Sequence, residues 1–225
     1  MRKAAIVSAA IVTLLISCGK APPCVTVSEQ TIVCGSDILV EDIRIPVVSG
    51  FSDAKFQSSL NSGILDVVGK ARENAKQDAK AAQQWVQYVC VLVVDYEVKN
   101  NRGLFSMRLR TDLDNGGTGM PNTRYVNADI EKNKLLRLDD LFLSQDYKTD
   151  IDEYILTIIN KDTRFSSEDY TGVTNNTAFF VSEGLLHIAF AKYEISSGST
   201  GEPVFAIPAS VIQKHLKPDY AKHFI

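Results

Sequence analysis

The run from 86 to 98 constrains the fold of this chain more than any other segment, because apolar side chains fill both of its faces. Val89, Val91 and Val93 alternate on one face. The other face carries Val86, Tyr88, Cys90, Leu92, Val94, Tyr96 and Val98. A strand that is apolar on both faces lies inside a sheet and is covered on both sides. We therefore expect a central strand here, with Cys90 as a small buried hydrophobe.

Around this strand, the other predicted elements occur in blocks and do not alternate strictly. Apolar patterning predicts further strands at 38–47, 104–113, 123–130, 135–138, 178–181, 185–191 and 204–207. Helices are predicted at 52–82, 147–160 and 208–216. Strands joined mostly by hairpins are typical of an α+β fold with a mostly antiparallel β-sheet. The helices would be one long N-terminal helix and two shorter ones.

The first 17 residues have the layout of a secretory signal. Arg2 and Lys3 precede an uncharged run, 4–16, that is too short for the roughly 20 residues of a membrane-spanning helix. The run ends in Leu15-Ile16-Ser17-Cys18, which resembles the bacterial lipobox. That resemblance implies cleavage before Cys18 and a lipid on its thiol; the alternative is an ordinary signal with a chance cysteine. We expect an anchor in the cell envelope facing away from the cytoplasm, in the outer membrane if the cell has two membranes.

Three cysteines follow Cys18, in a compartment that favours disulfides. The segment 28–30 separates two β-rich triplets, and a hairpin turning there would place Cys24 opposite Cys34, close enough for a bridge. We expect the pair Cys24–Cys34. A bridge between Cys34 and Cys90, or no bridge, are the alternatives.

These patterns divide the chain into five regions. They are a lipoprotein signal peptide at 1–17, a lipid-anchored tether with a short hairpin at 18–37, an N-terminal half with a strand, the long helix and a hairpin at 38–112, a C-terminal half at 113–217 and a tail at 218–225.

The charge of the chain argues against nucleic acid as a partner. The formal net charge is −3, and loss of a signal with two basic and no acidic residues takes it to about −5. Lysines and arginines are scattered, so no basic patch is expected. An acidic surface would favour cationic partners.

No residue pattern indicates catalysis, a metal or a cofactor. The glycines of 115–119 lack a following Gly-Lys-Ser/Thr, so a loop with positive φ angles explains them better than a phosphate cradle. The run 196–201 lacks the Gly-x-Ser-x-Gly elbow. His187, His215 and His223 lack the spacing of metal ligands. We expect no catalytic residue, no metal ligand, no cofactor and no enzymatic activity.

Two stretches resemble a known family. Gly116-Gly117-Thr118-Gly119-Met120-Pro121-Asn122-Thr123, followed by Leu138-Asp139-Asp140-Leu141-Phe142, resembles a Gly-Gly-Ala-His loop and a Leu-x-Asp-Leu-Phe turn. Phe179-Phe180-Val181, Tyr193-Glu194-Ile195, Gly201 and Ile207-Pro208 resemble the C-terminal segment of the same family. The family is the extracellular domain shared by the lysozyme-sensing anti-sigma-V factor and the non-catalytic N-terminal region of a peptidoglycan deacetylase. The resemblance covers 38–216, although Thr118-Gly119-Met120 stands where the family has its loop histidine.

This resemblance implies an envelope setting and, as ligands, lysozyme or peptidoglycan fragments. It places the two motif loops at strand ends, where recognition loops are common. The expected ligand rim is Asn115, Gly116, Gly117, Thr118, Asn122, Tyr193, Glu194 and Gly201. The leading hypothesis is a lipid-anchored envelope binding or sensing module without catalytic activity. The alternatives are a structural envelope lipoprotein with no soluble ligand and a cell-wall-modifying enzyme whose site the sequence does not reveal.

Overall fold

The computed structural model describes residues 22–84, 88–117 and 119–224. The predicted signal peptide, Cys18, the first two residues of the predicted central strand (86–87) and Thr118 lie outside the described residues. The described part is a mixed α+β fold with two mostly antiparallel sheets, which confirms the predicted class. It contains four α-helices, whereas the sequence predicted three.

The first sheet has six strands in chain order. They are β1 (Thr26–Gly35), β2 (Leu39–Ser49), β3 (Cys90–Arg102), β4 (Leu104–Asp114), β5 (Asn122–Asp129) and β6 (Lys134–Leu135). Neighbouring strands are antiparallel except β2 and β3, which are parallel. The parallel pair requires a crossover, and the helix α1 (Ala54–Ala82, 29 residues) supplies it.

Local sequence explains where α1 begins and which face it buries. The Asp53 carboxylate accepts hydrogen bonds from the amides of Lys55 and Phe56, at 2.8 and 3.1 Å, and so caps the helix. The buried stripe consists of Leu60, Ile64, Val68, Ala75 and Ala79. This stripe packs on one face of the first sheet, against the apolar side of β2, β3 and β4.

The central position of β3 is confirmed, but at its N-terminal end only one face is closely covered. Cys90, Leu92 and Val94 are buried under α1. On the opposite face Val91 is half-buried, and Val89, just before the strand, is 44% exposed. The expectation that both faces are covered is therefore wrong at this end of the strand.

The predicted N-terminal hairpin is also wrong. Residues 26–35 form the single strand β1, which pairs with β2 through a turn at 36–38. Cys24 and Cys34 consequently lie about ten residues apart on an extended chain, roughly 30 Å, whereas bridged cysteines have Cα atoms within about 7 Å. All three described cysteines are free, Cys24 and Cys34 exposed and Cys90 buried. The turn forms at 36–38, where Ser36 and Asp37 follow Gly35, while Ser28-Glu29-Gln30 lacks the glycine, asparagine or aspartate that tight hairpin turns prefer.

The second sheet and the remaining helices form a second hydrophobic core. Its strands are β7 (Ala178–Ser182), β8 (Leu185–Ala189) and β9 (Val204–Ile207), and its helices are α2 (Tyr147–Ile159), α3 (Ala209–Ile212) and α4 (Pro218–Ala221). The predicted C-terminal helix is α-helical only in α3 and continues as a 3₁₀ turn, Gln213–His215. The predicted tail contains α4, whose Tyr220 is buried in the second core together with Phe224.

A buried polar seam joins the two sheets. Ser106 of β4 donates to Asn127 Oδ1 of β5 at 2.7 Å, and both side chains are buried. Asn127 Nδ2 donates to the carbonyl of Phe179 at 2.7 Å, and the amide of Val181 donates to Ser106 Oγ at 3.1 Å. These bonds satisfy backbone groups on the edge strand β7, which therefore stands against the face of the first sheet opposite α1.

The position of the two cores corrects the predicted division of the chain. The boundary at 112/113 falls inside β4, and β5 continues the same sheet. The first core extends to Ile130, and the second contains Leu136 and the residues that follow, joined by Leu104 from β4.

Candidate functional site

The structure brings together the two loops that the sequence predicted as a ligand rim. Lys192 Nζ donates to the carbonyl of Gly119 at 2.9 Å. Thr123 Oγ1 donates to Glu202 Oε2 at 3.0 Å. The segments 119–123 and 192–202 are thus neighbours, although about 70 residues separate them in sequence.

A cleft of about 410 Å³ opens between these loops and a third segment, 171–178. We call it the inter-loop cleft. The side of β5 contributes Pro121, Asn122, Thr123 and Tyr125. The residues that follow β8 contribute Phe190, Ala191, Glu194 and Glu202. Of the predicted rim, Asn122 and Glu194 line this cleft.

The third wall was not predicted from the sequence. It belongs to the connection between α2 and β7, residues 160–177, and brings Thr171, Gly172, Thr174, Asn176 and Thr177 to the cleft. Irregular connections longer than about 12–15 residues are uncommon in compact domains and are usually either functional or linkers. The length of this connection was therefore the signal that could have identified the wall.

A single carboxylate holds this wall against the second core. Asp152 Oδ1, on α2, accepts a hydrogen bond from Tyr170 Oη at 2.6 Å and one from the amide of Val173 at 2.8 Å. Gly172 between them has a φ of +87°, and a Cβ there would lie 2.9 Å from Asp152 Oδ2. Glycine is required at this position by both its backbone angle and the close carboxylate. Burial, followed by the bond to Asp152, raises the pKa of Tyr170, which stays protonated as a donor.

The electrostatics of the cleft are set by two glutamates. Glu194 Oε2 accepts from the amide of Ala191 at 2.7 Å. Glu202 lies 3.8 Å from Arg110 Nε, in addition to its bond from Thr123. None of the described residues that line the cleft is a lysine or an arginine. The cleft therefore disfavours anionic groups.

The other described residues of the predicted rim do not line the cleft. Asn115, Gly116 and Gly117 form the turn after β4, in which the Gly116 amide donates to Asp114 Oδ1 at 2.9 Å. Positive φ angles are confirmed at Gly116 and Gly119, at +84° and +64°, but not at Gly117.

Tyr193 and Gly201 shape the opposite loop. Both have positive φ angles, +70° and +80°. The Tyr193 side chain is 49% exposed, and its ring lies over Gly198, where a Cβ would approach it to 2.2 Å. Neither Tyr193 nor Gly201 is among the residues lining the cleft.

The described chain begins at the far end of the first sheet from this cleft. The carbonyl of Pro23 accepts a hydrogen bond from the amide of Gly103 at 2.8 Å, in the turn between β3 and β4. At the other end of β4, Thr111 pairs with Asn122 at the cleft. The eight residues from Leu104 to Thr111 span about 23 Å. The cleft and the N-terminal end are therefore at opposite ends of β4.

The described part of the chain contains no group of three or more His, Cys, Asp or Glu residues arranged to hold a metal ion. Of its helices, none combines the length and the apolar character needed to cross a bilayer.

Comparisons with known proteins support the resemblance seen in the sequence. Residues 139–210 match the family model described as a protein of unknown function, DUF3298. The anti-sigma-V factor RsiV of Bacillus subtilis (strain 168) is 24% identical over 188 residues, which cover 78% of this chain. The chain spans 65% of the length of that relative.

Two solved structures share the fold. A DUF3298 family member from Bacteroides fragilis has a TM-score of 0.69 at 16% identity, and the match covers 89% of this chain and 96% of that chain. A DUF3298 protein from Pseudomonas aeruginosa has a TM-score of 0.56 at 15% identity, covering 88% and 96%. At these identities the likeness shows the fold alone. The match to RsiV confirms the predicted resemblance to the anti-sigma-V factor. The resemblance to a peptidoglycan deacetylase stays a prediction.

Proposed function

We propose that this protein is a lipid-anchored, non-catalytic binding or sensing module of the cell envelope, and that its ligand, lysozyme or a cell-wall glycan, is recognised at the inter-loop cleft. The observation that carries the proposal is the meeting of the two predicted rim loops at one cleft, in a chain similar to an anti-sigma factor. Ligand sites are usually concave, with volumes of about 300–1,000 Å³, and carry a few placed polar groups.

The position of the cleft supports an envelope-facing role. If Cys18 carries a lipid, only a few residues separate the anchor from Pro23 at the turn between β3 and β4. The cleft lies about 23 Å further along β4. This arrangement presents the cleft away from the membrane, where an extracellular ligand can reach it.

The charge of the molecule supports lysozyme as a ligand. The mature chain has a net charge of about −5, and the cleft carries Glu194 and Glu202 without a lining lysine or arginine among the described residues. An acidic surface attracts a cationic protein and speeds its association, an effect that weakens as salt rises.

Titration calorimetry of the mature protein in detergent, with lysozyme and separately with muropeptides, tests the proposal. We expect saturable heat with at least one of them, and an affinity for lysozyme that falls with ionic strength. A folded protein that gives no heat with either ligand would leave the structural lipoprotein as the better account. Release of acetate or of reducing ends from peptidoglycan would instead indicate a cell-wall-modifying enzyme.

A further inference from the structure

The polar groups that line the inter-loop cleft are mostly uncharged. Threonine and asparagine side chains supply most of its polar groups, at Asn122, Thr123, Thr171, Thr174, Asn176 and Thr177. Hydroxyl and amide groups both donate and accept hydrogen bonds. Thr123 already donates to Glu202, and Thr174 and Thr177 bond each other. The side chains of Asn122, Thr171 and Asn176 therefore complement a ligand whose own hydroxyls both donate and accept, and they offer no countercharge to an ion.

An apolar strip lies beside these polar groups. Ala191 is exposed at the cleft, whereas Ala189 and Phe190 beneath it are buried, with the Phe190 ring edge-on to Tyr170 at 5.8 Å between ring centroids. Tyr125 adds a second aromatic side chain, stacked on Phe180 at 5.1 Å. Amphipathic aromatic and small apolar surfaces next to neutral polar groups suit the C–H faces and hydroxyl rims of a sugar ring.

The charges in the cleft disfavour anionic ligands. Glu194 and Glu202 repel carboxylates and phosphates, and both are engaged by the protein's own donors. An acidic stem peptide would face these carboxylates without a basic partner among the described lining residues. The neutral sugar backbone of a glycan has no such conflict.

We infer that the inter-loop cleft binds an uncharged oligosaccharide segment, and that Asp152 is the positioning residue that holds the third wall against it. This inference rests on the proposed function and narrows its ligand. Asp152 does not line the cleft. It acts through Tyr170 and Val173, which fix the segment carrying Thr171, Thr174 and Asn176.

Calorimetry of the mature protein with chitotetraose, an uncharged tetrasaccharide, tests the ligand class. We expect saturable binding tighter than roughly 1 mM, and none with tetragalacturonate, which has the same length and four carboxylates. Binding of lysozyme without binding of chitotetraose would overturn this inference and leave the proposed function standing. No binding of chitotetraose, lysozyme or muropeptides would overturn both.

Two pairs of variants test the location. Asn176→Ala should weaken chitotetraose binding roughly three- to tenfold, as expected for a lost hydrogen bond. The matched change Asn160→Ala, at the exposed C-terminal end of α2, should leave it unchanged.

Asp152→Ala should weaken binding at least tenfold and speed hydrogen exchange of the Val173 amide, whereas Asp152→Asn keeps an acceptor oxygen and should restore both. Wild-type affinity for chitotetraose in both single variants, Asn176→Ala and Asp152→Ala, would show that the sugar binds elsewhere. Failure of Asp152→Asn to restore either quantity would refute the positioning role.

Discussion

Replacing Glu41 with Gln tests how α1 is fastened to the first sheet. The Glu41 side chain, on β2, is 6% exposed. Arg72 of α1 donates to it from Nε at 2.7 Å and from Nη2 at 2.9 Å, and Cys34 Sγ donates at 2.9 Å. The hydrogen bonds from Arg72 are the main reason that the pKa of Glu41 falls from 4.5 to about 2.

The fall in pKa sets the size and the pH dependence of the effect. It corresponds to roughly 3 kcal/mol of folding free energy at neutral pH. Because the folded-state pKa lies below the unfolded one, this stabilisation is complete above about pH 5 and is lost as the pH falls towards 2. About 2 kcal/mol of it is gone at pH 3. Glu41→Gln should therefore lower the free energy of unfolding by about 3 kcal/mol at pH 7 and by about 1 kcal/mol at pH 3.

Urea denaturation of both proteins at pH 7 and pH 3 measures these differences. The matched control is Glu97→Gln, because Glu97 is 49% exposed and its ion pair with Lys99, at 2.7 Å, is on the surface. Glu97→Gln should lower the free energy of unfolding by less than about 1 kcal/mol at both pH values. An equal cost of Glu41→Gln at pH 3 and pH 7, or a cost no larger than that of Glu97→Gln, would contradict the stabilisation assigned to the Arg72–Glu41 pair.

The remaining predictions concern the anchor, the thiols and two glycines. Cys18→Ser should release the protein from membranes after an alkaline wash, and a variant that sediments like wild type would contradict the lipobox interpretation. In the native protein a maleimide should label Cys34, slowly because its bond to a carboxylate raises the thiol pKa, while Cys90 reacts only after unfolding, as mass mapping can show. Gly103→Ala, at a φ of +71° and with a Cβ 2.3 Å from a histidine ring, should lower the free energy of unfolding by at least about 1 kcal/mol. Gly63→Ala, in open space within α1, should raise it by up to about 1 kcal/mol in the same denaturation assay.

Periodicity predicted the strands and helices well where the core dictates the pattern. The apolar alternation at Cys90, Leu92 and Val94, for example, reflects burial under α1. Pairing partners were harder to predict, because alternation does not specify which strand a segment joins. The segment 26–35 was therefore assigned a hairpin with itself, although it pairs along its whole length with β2.

Two of the three walls of the inter-loop cleft could be predicted from the sequence, and the third could not. Motif loops such as 119–123 and 192–202 have sequence signatures, so they could be named before their contact was known. The third wall depends on a contact between Asp152 and Val173, residues from different elements with no shared motif. The charge of the cleft also depends on which side chains the fold brings together, which no local pattern encodes.

The central claim is that the inter-loop cleft is the ligand site. Hydrogen exchange of the mature protein, with and without saturating lysozyme or chitotetraose, tests it most directly. We expect slower exchange at 119–125, 171–177 and 190–202, the three walls of the inter-loop cleft. We expect no change at 22–26 and 100–104, at the opposite end of β4. Protection confined to that opposite end, or absent from all three walls despite measured binding, would contradict the assignment of the cleft as the ligand site.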